Sequence, residues 1–436
     1  MTTLDPFIAE AERATEGRHD AAWVTAARRH ALVRFHELGF PTTRDEEWRF
    51  TGVGPIAEGR FALAHDGTAS VRADALAAFD WGGDRAATIV FVNGHYAPDA
   101  SSIVELPSDV RVESLARAFS APGNGVESHL TRVAPDDRRA FTALNTAFLS
   151  DGAYIHVPAG VTVAKPIHLL FLSAGESHPT MTHPRVLLVL DAASKATIVE
   201  SYGAAHASRY FTNAVTEIVA GENATLDHYK VQREQQDSFH MGAIYLRASR
   251  DSNVSCHSVS LGGSIVRNDV VAVLDGEGVM CTLNGLYVGD GSRVVDNHTT
   301  IVHARPHCGS REVYKGILAD RSRAVFNGKI VVRPDAQQTD AKQTNKALLL
   351  SDDAQINTKP QLEIFANDVK CTHGAAVGQM DEDAIFYLRA RGVGLDEARH
   401  ILIHAFAGDV LNQMPLEALR RRIDAELGRR LAGWRK

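Results

Sequence analysis

Six segments of this chain repeat one pattern: a polar turn, a small apolar residue, then a strand of alternating character. They are residues 193–203 (ASKATIVESYG), 221–232 (GENATLDHYKVQ), 251–261 (DSNVSCHSVSL), 276–288 (GEGVMCTLNGLYV), 321–332 (RSRAVFNGKIVV) and 352–364 (DDAQINTKPQLEI). Their starts recur roughly every 25 to 45 residues, too unevenly for propeller blades but well suited to stacked coils in which each strand covers the apolar edge of the next. A parallel β-helix fits best. A large β-sandwich is the rival, because turn-rich alternation is common to both.

The β texture begins near residue 85 with ATIVFVNGHYAP, where Asn93-Gly94 marks a tight turn between strands. Before it, Trp23, Val24, Ala27, Ala31, Leu32, Phe35 and Leu38 recur at helical spacing, and Gly39 with Pro41 supplies a stop. Thr43 and Glu46 have capping-box spacing in PTTRDEEWRFT. A further helical pattern runs from Leu130 to Phe148. The helical period returns near residue 380, where Ala398, Ile401, Leu402, Ala405 and Phe406 form one apolar stripe and Pro415 stands at the expected start of the last helix. The expected fold is therefore mainly β: an N-terminal helical region over 1–84, a parallel β-helix over 85–380 and a C-terminal helical region over 381–436. The C-terminal stripe either packs on its own β core or docks a partner.

Composition narrows function by exclusion. The 436 residues carry a formal net charge of -7, so a wide nucleic-acid surface lacks its electrostatic term. No apolar run reaches membrane-spanning length, and the acidic start MTTLDPFIAEAERATEG is unlike a signal peptide, so a cytoplasmic location is expected. The four cysteines, Cys256, Cys281, Cys308 and Cys371, form no CxxC pair and suggest neither a zinc site nor a disulfide framework. The first three are expected as small buried hydrophobes in adjacent coils. A phosphate loop, a GxSxG elbow, an HExxH helix, a close carboxylate pair and a dinucleotide fingerprint are all missing, which argues against an enzyme and leaves a flavin unsupported.

Two segments remain as candidate sites. In NDVKCTHGAAVG, Cys371 and His373 are two apart and would share a strand face, where a thiolate and an imidazole can meet one soft metal or cluster. Two ligands do not complete such a site, and an inert pair is the alternative. In DNHTTIVHARPHC, His298, His303, His307 and Cys308 crowd together, but spacings of five and four fit neither a strand face nor a helix, which favours turn and core roles over metal. The surrounding residues 326–374 are rich in Gln, Asn, Thr and Asp and suit side-chain ladders between coils.

That last region, GKIVVRPDAQQTDAKQTNKALLLSDDAQINTKPQLEIFANDVKCTHGA, closely resembles the shared core of the SufB/SufD scaffold family, as do FPTTRDEEWRFT, PHCGSREVYKGILADRSRAVFNGK and YLRARGVGLDEARHILIHAFAGDVL. The likeness spans essentially the whole chain, and PTRxEEW and CTHG are similar to the SufD side of the family. The resemblance implies a right-handed parallel β-helix paired with a SufB-like paralogue, and a SufC-like ATPase held through the C-terminal helices at Ile401, Leu402, Ala405 and Phe406. It implies a non-catalytic scaffold for iron–sulfur cluster assembly, with a transient cluster at the SufB/SufD junction. His373 would then ligate iron or the cluster, with Cys371 beside it. A stand-alone β-helical carbohydrate-active enzyme and a self-pairing homodimer are the competing expectations.

Overall fold

The computed structural model describes residues 3–433 except 17, 19, 68–70, 122, 124, 135–138, 176 and 207. Strands Gly152–Val157, Arg185–Leu190, Tyr210–Ala220, Phe239–Ala248, Ile265–Leu274, Val294–His303, Arg323–Val332 and Gln355–Ile364 pair in parallel as one sheet, here sheet A. Sheet B is built in parallel from Ala87–Val92, Ile167–Ser173, Lys195–Ala204, Thr225–Gln232, Asn253–Ser260, Met280–Gly289, Gly309–Leu318, Thr339–Leu349 and Val369–Gly378. The chain crosses from one sheet to the other after nearly every strand, giving a parallel β-solenoid of about 8 turns. Sequence neighbours thus face each other across a lumen, and next-but-one strands share hydrogen bonds. A sandwich would need antiparallel pairing, which among the described residues is confined to the N-terminal strands near Ala87–Val92 and Gly152–Val157.

The sequence repeat has a local cause. At successive coils a residue with positive φ, Ala193, Asn223, Asp251 or Asp320, reverses the chain. Ser194, Ser252 and Ser322 then donate their hydroxyls to the carbonyls of Asp191, Ser249 and Ala319, three residues back. Alternation does the rest, placing Ile198, Leu226, Val254, Leu283 and Phe326 in one lumen core with Cys256, Cys281 and Cys308. The three thiols are buried and free. Cys256 and Cys281 lie in adjacent coils but out of register by two residues, since Cys281 pairs with Val254 and Cys256 with Leu283.

The terminal regions cover the outer faces. Phe7 and Phe35, from helices Asp5–Thr15 and Ala22–Leu38, join Phe141, Phe211, Phe239 and Met241 over sheet A. Ile403, Ala407, Val410 and Leu411 of helix Leu395–Leu411, with Ile423 and Leu427 of helix Glu417–Gly433, pack on Tyr229, Val259, Leu286 and Ile317 of sheet B. Burying each such aliphatic side chain contributes about 1.5–3 kcal/mol, which is why helices such as Ala22–Leu38 and Leu395–Leu411 persist without a side-chain N-cap.

Three local expectations are corrected. The hairpin at Asn93-Gly94 forms as read, with φ of 52° and 82°, but the helix expected from Leu130 to Phe148 is limited to Ala140–Ala147, residues 135–138 lying outside those described. Upstream, the Glu217 carboxylate accepts the backbone N–H groups of Thr131, Val133 and Ala134 while it pairs with buried Arg185, so that stretch is held in a turn. The capping pair near Pro41 is Thr42 and Asp45 instead of Thr43 and Glu46, because the Asp45 carboxylate accepts the Thr42 backbone N–H while Glu46 and Glu47 reach Lys359 and His298 on sheet A. Pro415 precedes the last helix by two residues, and the Leu416 N–H between them donates to the Tyr229 hydroxyl.

Two tyrosines and two glycines interlock in the lumen. Tyr314 lies over Gly285 and Tyr287 over Gly316, each pair being in register, and a Cβ on Gly316 would sit 2.1 Å from the Tyr287 ring. Gly316→Ala is therefore expected to lower stability by about 1–3 kcal/mol, read as a lower denaturant midpoint at unchanged slope.

Candidate functional site at the open end of the solenoid

The first coils are capped by helices and short antiparallel strands, but the last coil has no strand beyond it. Gln355–Ile364 and Val369–Gly378 are each hydrogen-bonded on one side only, and both are ten residues long. Long unpaired strands normally carry a bulge, a proline or a covering element. Here Pro360 interrupts the first, while the second has none and is exposed along most of its length. Phe365, Val377 and Ile364 add exposed apolar surface at the same end.

Cys371 and His373 lie on this terminal strand. Their register partners in the coil beneath are Ala341 and Gln343, both buried in the lumen, so thiol and imidazole occupy lumen-side positions of the uncovered coil. Cys371 packs partly against Ile330, Val332 and Ala341, and that burial pushes its thiol pKa up. His373 is exposed. Among the described residues no three His, Cys, Asp or Glu side chains converge to hold a metal ion, so this pair would need ligands from outside the chain.

The second candidate cluster disperses. His303 faces the lumen and meets the Ser310 hydroxyl at 3.0 Å, Cys308 is buried in the core, and His307 sits at a turn with φ of 60°. His298 instead faces outward from sheet A. The helical stripe also resolves into two faces: Ile403 and Ala407 turn inward, whereas Ile401 and Ala405 are exposed and Leu402 half-buried. Phe406 is half-buried, with the Lys315 ammonium 4.3 Å from its ring centre. Phe386, Tyr387 and Leu395 extend the exposed apolar surface beside Ile401.

A feature that pattern reading missed is the latch formed by residues 45–51. His298 Nε2 lies 2.9 Å from Asp296 and Nδ1 3.0 Å from Glu47. Arg267 donates to Asp296 and to the Glu47 carbonyl and lies 3.7 Å from the Trp48 ring centre, while Thr51 donates to Asp296 and Lys359 pairs with Glu46. Beside it is a cavity of about 640 Å³ lined in part by Trp48, Arg139, Asp269 and Lys329. Burial by itself would lower the His298 pKa, but Asp296 and Glu47 outweigh it and hold the imidazole above its ordinary value. The adjacent acids and tryptophan, Glu46-Glu47-Trp48, were the available signal; their partners on sheet A lie more than 200 residues away in sequence.

Fold and site together define a capped β-solenoid left open at one end, where an unpaired strand presents a thiol and an imidazole. Comparison with known proteins gives this class its family. Residues 7–169 match the SufBD protein N-terminal region and residues 171–406 the SufBD core domain of the SUF system for FeS cluster assembly. An iron–sulfur cluster assembly SufBD family protein of Synechocystis is 36% identical over 394 residues, covering 88% of this chain and 86% of the relative. The iron–sulfur cluster assembly protein SufD of Escherichia coli is 33% identical over 415 residues, 92% of each chain, and SufD of Bacillus subtilis is 26% identical over 68% of each. This chain belongs to the SufBD family of iron–sulfur cluster assembly proteins.

The latch predicts a pH dependence. Because the folded His298 pKa is raised, its contribution is fully present below the ordinary histidine value near ~6.5 and is lost as pH rises through the folded value. The denaturant midpoint is expected to fall above neutral pH, and His298→Gln should flatten that part of the profile.

Proposed function

We propose that this chain is the SufD-type, non-catalytic scaffold subunit of a SUF complex. In this reading its open end pairs with the corresponding edge of a SufB-like paralogue, and its C-terminal helices hold a SufC-like ATPase. The nascent iron–sulfur cluster is cargo at the junction, touched from this side by His373 and Cys371. The observation that carries the reading is the terminal strand itself, ten residues with one edge unpaired, bearing the only half-buried thiol among the described cysteines beside an exposed imidazole. Strand addition would satisfy that edge through main-chain hydrogen bonds. It would also bring a partner's groups to the same mouth, which supplies the ligands this chain lacks. A second copy of the chain could use the same edge, so a homodimer competes with the heteromeric pair.

The ATPase contact is assigned to Ile401, Leu402, Ala405 and Phe406, extended by Phe386 and Tyr387. Ile401 and Ala405 are its outward members. Phe406 would contribute mainly by holding the helix on Lys315, so Ile401 is the sharper probe.

Co-purification with SufB-like and SufC-like partners, followed by anaerobic iron and sulfide reconstitution, tests the reading. His373→Ala is expected to leave the complex intact and lower cluster yield; unchanged yield removes His373 from the site. Ile401→Asp should release the ATPase with the paralogue still bound, because burying an unpaired charge costs several kcal/mol. Retention of the ATPase would move the docking surface elsewhere.

A further inference from the structure

Beneath His373 the lumen of sheet B carries a polar column that runs up to the open end. Glu312, Gln343 and His373 occupy one register line on three successive strands. Strands in a sheet are about 4.8 Å apart, so Glu312 lies two coils, roughly 10 Å, from His373. Glu312 is 1% and Gln343 2% exposed. Gln343 Nε2 donates to Glu312 Oε2 at 2.7 Å, whereas Gln343 Oε1 and Glu312 Oε1 are buried without partners. The amide has room because Gly328 faces it from sheet A: a Cβ there would stand 2.3 Å from Nε2. With its nitrogen committed to the coil below, the amide has its oxygen left for the coil above, where the register neighbour is His373.

We propose that Glu312 and Gln343 form a relay that sets which hydrogen-bonding face His373 meets, and through it which ring nitrogen is free for the cargo. This inference rests on the reading of His373 as a cargo-side residue. When Glu312 is ionised it accepts the amide N–H, and the Gln343 carbonyl is offered to a His373 N–H. The opposite ring nitrogen then keeps its lone pair at the open mouth. Metal-binding histidines are commonly held this way, with the second nitrogen donating to a carbonyl or carboxylate. When Glu312 takes up a proton from solvent, its O–H donates to the Gln343 carbonyl and the amide turns over. Its N–H then points at His373, which must accept with the inner nitrogen and present an N–H outward. Besides this proton uptake, the ring proton of His373 leaves the inner nitrogen for solvent and another is taken up from solvent at the outer nitrogen, so the charge of the imidazole is unchanged and the amide reports the event one coil further on.

The surroundings suit a group that titrates under working conditions. Burial pushes the Glu312 pKa up to about 7, and the nearby Thr299 hydroxyl and the hydrogen-bonded Gln343 amide limit the rise. Its titratable neighbours, Cys281 and Tyr314, are held protonated well beyond neutral pH by their own burial. Leu283, on the strand below, carries no charge. Gln343 and Glu312 are positioning residues, since neither reaches the cargo.

The test is the pH dependence of His373 carbethoxylation by diethyl pyrocarbonate, followed on the full chain by peptide mass spectrometry. Attack requires an outward lone pair. In the unaltered chain the rate should rise more steeply with pH than in Glu312→Gln or, independently, Gln343→Met, because only there must Glu312 lose its proton before the lone pair turns outward. Rates normalised at pH 8 should then differ by roughly tenfold at pH 6, one unit below the Glu312 value. Should either variant misfold, the other gives the same comparison. Superimposable curves for the unaltered chain and a folded variant overturn the relay. Normal cluster yield in His373→Ala overturns the cargo reading instead, and leaves the difference in steepness standing.

Discussion

Each coil of a parallel solenoid draws half of its backbone hydrogen bonds, and much of its apolar cover, from the next coil. The stack is stable in its middle and unsatisfied at its ends. In this chain the N-terminal end is closed by the antiparallel strands beside Ala87–Val92 and Gly152–Val157. The outer faces are covered by helices bearing Phe35 on one side and Ile403 and Val410 on the other. Among the described strands of the two parallel stacks, Gln355–Ile364 and Val369–Gly378 are the ones that keep a free edge. The Cys371–His373 pair derives its chemical interest from that edge: the same two residues one coil deeper would be enclosed, as Ala341 and Gln343 are.

The lumen shows how such a core admits polarity. Glu200 pairs with His228 at 2.8 Å, Lys230 donates to Asn268 and Asn268 in turn to Asn297, all fully enclosed between the sheets. Stacked coils put like positions in line, so a buried polar side chain can find a partner directly above or below it. Glu312 and Gln343 follow this rule, and they lead it to the open mouth. Outside the lumen, the His298–Glu47–Arg267 latch fastens the N-terminal region to the same half of the solenoid.

The coils themselves were legible in the sequence, because the polar turns at Ala193, Asn223 and Asp251 and the alternation after them are local properties of the chain. So were the helical ends and the CxH pair on a shared strand face. The phase of the C-terminal stripe was not: ILIHAFAGDVL is apolar nearly all round, and only contact with Tyr229 and Ile317 decides that Ile403, not Ile401, faces inward. The shortened helix before Phe148 and the shifted cap at Thr42 were hidden for a different reason. Each is decided by a carboxylate whose partners are distant in sequence or compete locally, Glu217 with Arg185 in one case and Asp45 with Thr42 in the other. The unpaired edge is likewise a property of the whole stack, visible only once the last strand is seen to have no neighbour.

The most direct measurement is amide hydrogen exchange across residues 369–378, in the dilute chain alone and in a complex with the proposed SufB-like partner. The account predicts fast exchange of the outward-facing amides in the free chain and strong protection of the same amides on assembly. Equal exchange in both states, with the complex demonstrably formed, would contradict the claim that this strand edge is where the partner joins.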